Sequence, residues 1–257
     1  MIIPIVKYSS ASLPKYDYTG QAPLFFKDNQ GNWEMVFTGN CTVTFSRLIT
    51  NVDIFAVGGG MPATGSEGYA ANNYAKGGSG GKGGGCVTSL NKALNAGTEY
   101  RVTIGGSSLS TSAFGVTAPA GGGSNGGAGA VTPSSAAGNG TDGVLAFGRT
   151  TASALTLYED SLGDSAIYFG GGGGGGAAKG SWSGSLLAAG TGGASGGGAG
   201  GSGGSDETQE ARNGRPNTGG GGGGGSRNNT TGSEGNFPGP GLGGSGIVII
   251  RNARSST

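Results

Sequence analysis

Apolar residues in this chain gather in short runs, each bounded by glycine, asparagine, serine or proline. Trp33-Glu34-Met35-Val36-Phe37 follows the turn-forming Asn29-Gln30-Gly31-Asn32, and Cys41-Thr42-Val43-Thr44-Phe45 alternates with a period of two. Val52-Asp53-Ile54-Phe55-Ala56-Val57 runs straight into Gly58-Gly59-Gly60. Further runs are Cys86 to Leu90, Tyr100 to Ile104, Ala113 to Val116, Val144 to Phe147, Ala166 to Phe169, and Gly246 to Arg251. None holds the spacing of an amphipathic helix, and β-branched and aromatic residues are common in them. The pattern predicts an all-β fold, a jelly-roll-like β-sandwich with essentially no α-helix.

Between these runs lies glycine, 64 of the 257 residues. Two stretches, Gly170 to Gly176 and Gly219 to Gly225, are glycine throughout. Others, such as Gly77 to Gly85, are broken only by Ser79 and Lys82. Such composition is ordinarily a mark of disorder, because each ordered glycine gives up more conformational freedom than any other residue. Collagen is excluded, since glycine does not recur at every third position throughout. The ordered alternative is the extended left-handed helix with three residues per turn. It makes no internal hydrogen bonds, so several such helices must satisfy one another. Seven residues span roughly 22 Å at its rise of about 3.1 Å, close to the length of an ordinary strand. Strand passes directly into glycine at Val57-Gly58 and Phe169-Gly170, and glycine into strand at Gly85-Cys86 and Gly246-Ile247. The sequence therefore predicts a polyglycine II helix bundle inserted into the sandwich.

Residues 1–30 are poor in glycine and carry Pro4, Pro14 and Pro23 with Tyr8, Tyr16 and Tyr18. They read as an extended N-terminal attachment arm, with residues 31–257 as the sandwich and glycine-rich body. The segments between glycine runs, Met61 to Tyr74, Ser181 to Leu187, Asp206 to Pro216 and Ser226 to Phe237, hold aromatics, asparagines, arginines and carboxylates. Polar and aromatic loops on a stiff scaffold form a recognition design. The residues singled out for binding are Tyr69, Tyr74, Trp182, Arg212, Arg215, Asn228, Asn229 and Phe237. Trp182 stands out because a tryptophan between serines has little local core to join. For these aromatics, capping the end of the bundle is an equal alternative.

Net charge is +1 and only 11% of residues are charged, so no electrostatic footprint for nucleic acid exists. The longest aliphatic run, Ile247 to Ile250, is far too short to span a membrane. The start lacks a basic region followed by a long apolar stretch, which predicts synthesis without secretion in a host cytoplasm. Cys41 and Cys86 both fall in predicted strands and read as buried small hydrophobes rather than a disulfide. The chain has no histidine, which removes the usual Ser-His and Cys-His nucleophile systems and most zinc sites. Matches to G-x-S-x-G and G-x-G-x-x-G are trivial in this composition. The fragment Gly138 to Val144 resembles a calcium nonapeptide, but such sites need stacked copies. The expectation is no catalytic, cofactor or metal site, and hence no enzyme.

The passage Ile54 to Gly60 and the ending Gly243-Gly244-Ser245-Gly246-Ile247-Val248-Ile249-Ile250-Arg251 resemble the glycine-rich domains of phage and prophage tail fibre receptor-binding proteins. The architecture is similar in principle to the tip adhesins of T-even phages. The glycine-rich ectodomain of anaplastic lymphoma kinase receptors also resembles it, with polyglycine helices grafted onto a β-sandwich. The resemblance is compositional and covers about residues 33–251. It implies a tail-tip or tail-fibre adhesin in a virion, binding a bacterial surface glycan or outer-surface protein through its loops. It further implies attachment to other tail proteins through the arm and a homotrimer, with no nucleic acid and no membrane insertion. The alternative expectation is a purely structural tail or head component.

Overall fold

The computed structural model describes residues 13–69, 74–128, 130–131, 135–151, 155–163, 166–179, 187–193, 197, 211–228 and 239–252, without the side chains of 67–69, 74 and 227–228. In chain order the strands are β1 (Tyr16–Gly20), β2 (Leu24–Lys27), β3 (Trp33–Phe37), β4 (Cys41–Phe45), β5 (Ile49–Val57), β6 (Glu67–Tyr69), β7 (Tyr74–Lys76) and β8 (Cys86–Leu94). They continue with β9 (Glu99–Val102), β10 (Thr111–Ala113), β11 (Val116–Ala118), β12 (Val144–Leu145), β13 (Tyr168–Phe169), β14 (Ala178–Lys179), β15 (Arg227–Asn228) and β16 (Ile247–Asn252). The fold is all-β, with one short helix, α1 (Leu157–Ser161), among the described residues.

Two antiparallel sheets face each other, ordered β1-β4-β9 and β2-β3-β16-β5-β8. Trp33, Phe37, Val43, Phe45, Ile54, Val102 and Phe114 fill the space between them. The larger sheet is covered on its other face too, where Val36, Phe55, Ile247 and Ile249 meet Phe147, Tyr158, Ile167 and Phe169. Double coverage explains why β3 is buried at every position and β16 along its aliphatic run. The covering segment is locked by charge. Arg149 pairs with the buried Glu159 at 2.7 Å, and Glu159 closes a capping box with Thr156 at the start of α1. A second buried carboxylate, Glu34, accepts from the Tyr158 N–H, and the Arg251 guanidinium lies 3.8 Å from the centre of the Phe147 ring.

The predicted strands at 33–37 and 41–45 have the expected bounds, and three expectations are corrected. Residues 1–30 are not an arm as a whole: β1 joins the smaller sheet and β2 the larger, while residues 1–12 lie outside the described residues. Ala113 to Val116 is a hairpin turn rather than a strand, with Phe114 at φ 52° and Gly115 at φ 75°. Val144 to Phe147 leaves the strand after Leu145, because Phe147 adopts φ 59°.

Glycine segments continue the sheet as helices of a different kind. Val57 faces Cys86 across β5 and β8. One residue on, the Gly58 N–H donates to the Gly85 carbonyl (2.9 Å), then Met61 to Lys82 (2.8 Å) and Thr64 to Ser79 (2.9 Å). Every third residue meets the same neighbour, which is the signature of a three-residue turn. A parallel pair shows the same step, with Ser124, Gly127 and Ala130 donating to Gly170, Gly173 and Gly176.

Followed through, these bonds place nine helices among the described residues in stacked rows. The first row holds 122–130, 77–85 and 58–65. The second holds 136–143, 170–177, 219–226 and 240–246. On its far side, 187–193 packs against 136–143 and 170–177, while 211–215 packs against 219–226 and 240–246.

Lattice position explains the two kinds of glycine sequence. Helix 219–226 donates to helices 170–177, 58–65 and 211–215, and accepts from 77–85 and 240–246. A Cβ on Gly221, Gly222 or Gly224 would lie 2.0 Å from the carbonyl oxygen of Gly81, Gly241 or Gly78 respectively. No side chain fits on any face, so the two all-glycine runs are the two central helices. Outer helices keep one free face and carry one larger residue per turn there. Lys82 and Leu242 are exposed there, as are Asn125 and Ala128, Asn139 and Asp142, and Ala188 and Thr191, each of these pairs three residues apart. Entry into both central helices is through a left-handed glycine, Gly170 (φ 72°) and Gly219 (φ 67°).

Candidate functional site

The hydrogen-bond directions sort the chain's turnarounds into two ends. Helices 58–65, 122–130, 170–177 and 219–226 run away from the sandwich, and 77–85, 136–143, 187–193, 211–215 and 240–246 run back. The described ends of the connections 66–76, 131–135, 178–187 and 227–239 therefore all lie at the end remote from the sandwich.

Three of these connections are closed at their roots, and the fourth is tied to its neighbour. β6 and β7 pair with Tyr69 opposite Tyr74 and Glu67 opposite Lys76. Val131 and Ser135 exchange two backbone bonds of 2.9 and 2.8 Å, and Ala178 and Leu187 exchange two of 3.3 and 3.0 Å. β14 and β15 run parallel, with Lys179 opposite Asn228, and β7 lies against both. Beneath them Ala75, Ala130 and Ala178 form a buried plug with Ala137 and Leu187 at its margin. Only small residues fit where the glycine lattice ends, so the plug carries the lattice's close spacing up to the loops. The result is a platform that carries the roots of several connections side by side.

Tyr69 and Tyr74 form the last pair of the β6–β7 hairpin, and Asn228 ends β15, so these three candidates share the platform. Trp182, Asn229 and Phe237 lie outside the described residues; the roots of their segments, at Ala178 and Leu187 and after Asn228, are on it. Arg212 is exposed on helix 211–215, its carbonyl accepting from Gly223 midway along the bundle. Arg215 is at the opposite end. Its carbonyl accepts from the Thr218 hydroxyl (2.8 Å). Its charge also acts on Tyr158, whose phenol is pushed up by burial and, less strongly, drawn back by Arg215. The length of helix 219–226, about 22 Å at the three-fold rise, separates Arg215 from the loops.

The segment read as a loop from Met61 begins as lattice helix, and residues 211–215 of the one read from Asp206 are lattice helix too. The turn at 131–135 escaped the sequence reading, although Pro133 between Thr132 and Ser134 marks it. Among the described residues no three of His, Cys, Asp and Glu gather to hold a metal ion, and no helix is long and apolar enough to cross a membrane. Cys41 and Cys86 are free thiols. Burial pushes Cys86 up to about 12 and also raises Cys41. Two shallow grooves lie elsewhere. One of about 360 Å³ runs over Thr19, Thr42, Arg101 and Thr103 on the smaller sheet. One of about 340 Å³ lies beside Cys86, Ser124, Val144 and Phe169, where bundle and sandwich meet. No protein-family model matches the chain, and no curated protein is significantly similar to it.

Proposed function

We propose that this chain is a receptor-binding protein of a bacteriophage tail, recognising a bacterial surface glycan or protein through the loops at the remote end of the bundle. One observation carries the reading: the hydrogen-bonded roots of segments rich in polar and aromatic residues, scattered through the sequence, lie together on one end of the bundle. A platform of this kind lowers the ordering cost of binding, since the loop bases are held before the receptor arrives. Several copies at a tail tip, a homotrimer in the reading by resemblance, would add avidity. The sandwich end is then the side that joins other tail proteins. Binding alone is the mechanism, with no covalent step.

The test is adsorption of the purified protein to a panel of bacterial cells, with Trp182→Ala and Tyr74→Ala beside the parent chain. Saturable binding to some strain, weakened by either loop variant at unchanged thermal stability, supports the proposal. Absence of binding to every strain that the parent phage infects would leave the chain as a structural virion component.

A further inference from the structure

The sandwich has a second surface built for a partner, remote from the loops. Edges of sheets expose unpaired backbone groups, and proteins blunt them with bulges, prolines, lysines or covering segments. Three of the four edges here are blunted. β8 is bulged where its pairing with β5 shifts register, with Asn91 at φ 55° and Lys92 beside it. The β9 edge is continued by β10 through the Thr103–Ser112 bridge. β2 is short, starts after Pro23 and ends at Lys27. β1 is paired only on its β4 side among the described residues, and contains neither proline nor lysine.

Beside that edge the sandwich is open. Tyr18 is 48% exposed. Its ring lies 6.4 Å from Tyr16, Tyr16 lies 6.4 Å from Phe25, and Phe25 stacks on the buried Trp33 at 6.4 Å. The chain crosses from β1 to β2 in three residues, so both edge strands flank this aromatic seam. On the outer face of the smaller sheet Asp17 stands opposite Thr44, and Thr44 opposite Glu99, a row with two carboxylates.

We infer that the β1 edge and its aromatic seam bind an extended segment of another polypeptide, which adds to the sheet as a strand. The seam selects apolar side chains at alternate positions of that segment, and Asp17, the exposed carboxylate of β1, selects a lysine or arginine opposite it on the outward side. A second copy of this chain pairing through β1 is the poorer fit. Five residues extend only about 16 Å, and such a contact falls well short of the roughly 1,200 Å² of a stable interface. A longer segment gains both backbone pairing and burial of the seam. This inference is independent of the loop-end reading and stands if that reading fails.

The test uses the full chain and a capped peptide alternating valine with threonine and lysine, followed by amide hydrogen exchange. Slowed exchange at residues 16–20 on adding the peptide, absent with a peptide of the same composition whose valines are contiguous, is the expected result. Asp17→Lys should weaken binding by about threefold or more, the scale of one cross-strand charge pair, and Thr19→Pro should abolish it. Asp17 is exposed, so the first variant tests the site even where Thr19→Pro fails to fold. No protection of 16–20 at millimolar peptide, or protection confined to other segments, overturns the inference. A dimer in light scattering that Thr19→Pro dissolves would also overturn it, by making a second copy the occupant.

Discussion

Replacing Gly173 by alanine tests the claim that backbone itself fills the bundle. The added Cβ would lie 1.9 Å from the Gly222 carbonyl oxygen, a distance at which something must shift. Relief needs the central helix and its neighbour to part by about 1 Å, given the usual close packing of protein interiors. That movement strains the bonds that the Gly221 and Gly224 N–H groups donate to the Gly171 and Gly174 carbonyls (2.8 Å each), which join the two helices every third residue. Losing two or three such bonds at about 0.5–1.5 kcal/mol each costs about 1–4 kcal/mol. Overpacking by a methyl adds about 1–3 kcal/mol. The stiffer unfolded chain returns about 0.4–1 kcal/mol. The net expectation is a loss of about 1–7 kcal/mol, seen as amide exchange across 170–177 faster by about fivefold at the least. Gly65→Ala is the matched control, because nothing lies within 4 Å of its added Cβ. It should leave exchange unchanged or slow it slightly. If Gly173→Ala exchanges within twofold of Gly65→Ala, the bundle is not packed backbone to backbone.

Arg149→Ala strands the buried Glu159 carboxylate and should lower stability by about 3–5 kcal/mol in urea unfolding. An unchanged midpoint would show that the 146–167 segment is not locked by that pair. The Cys86 thiol, held near 12 in the fold against 9 for a free thiol, should resist alkylation at pH 8 until denaturant is added. Because the folded value is the higher one, its contribution to stability is complete below about pH 9 and is lost as pH rises from 9 to 12. Cys86→Ala should therefore flatten the alkaline decline, and identical declines in both proteins would remove Cys86 from it. Trp182→Ala should reduce adsorption to cells without moving the melting temperature, whereas Arg215→Ala, at the sandwich end, should leave adsorption intact.

Strands β3 and β4 were legible because each couples a period or an apolar run to a turn signal beside it. The hairpin at 111–118 was not, because Phe114 sits at positive φ, which an aromatic rarely adopts and composition cannot announce. Strands β1 and β2 were read as an arm because Pro14 and Pro23 flank them. Both prolines lie outside the pairing, where they cost no ladder bond. The glycine runs gave away the bundle but not their own places in it. Those follow from geometry: a three-fold helix has three faces, and each face against a neighbour excludes a side chain.

The same geometry accounts for what was legible at the candidate site. A residue with a side chain can stand only on a free face or beyond the ends of the lattice. Tyr69 falls in the connection after helix 58–65, while Trp182 lies outside the described residues. The sequence could not say which connections share an end, because that depends on helix direction. Arg212 and Arg215, in a segment that reads as loop, lie three residues apart on helix 211–215, an outer helix on which Asn213 and Pro216 are exposed too and only Gly214 is buried. Lattice rules thus separate side chains that are merely tolerated, one per turn along a flank, from those gathered where backbone packing no longer restricts them. The backbone positions of Tyr69, Tyr74 and Asn228 lie at that end, which is why recognition is proposed for the loop end and not for the exposed flanks.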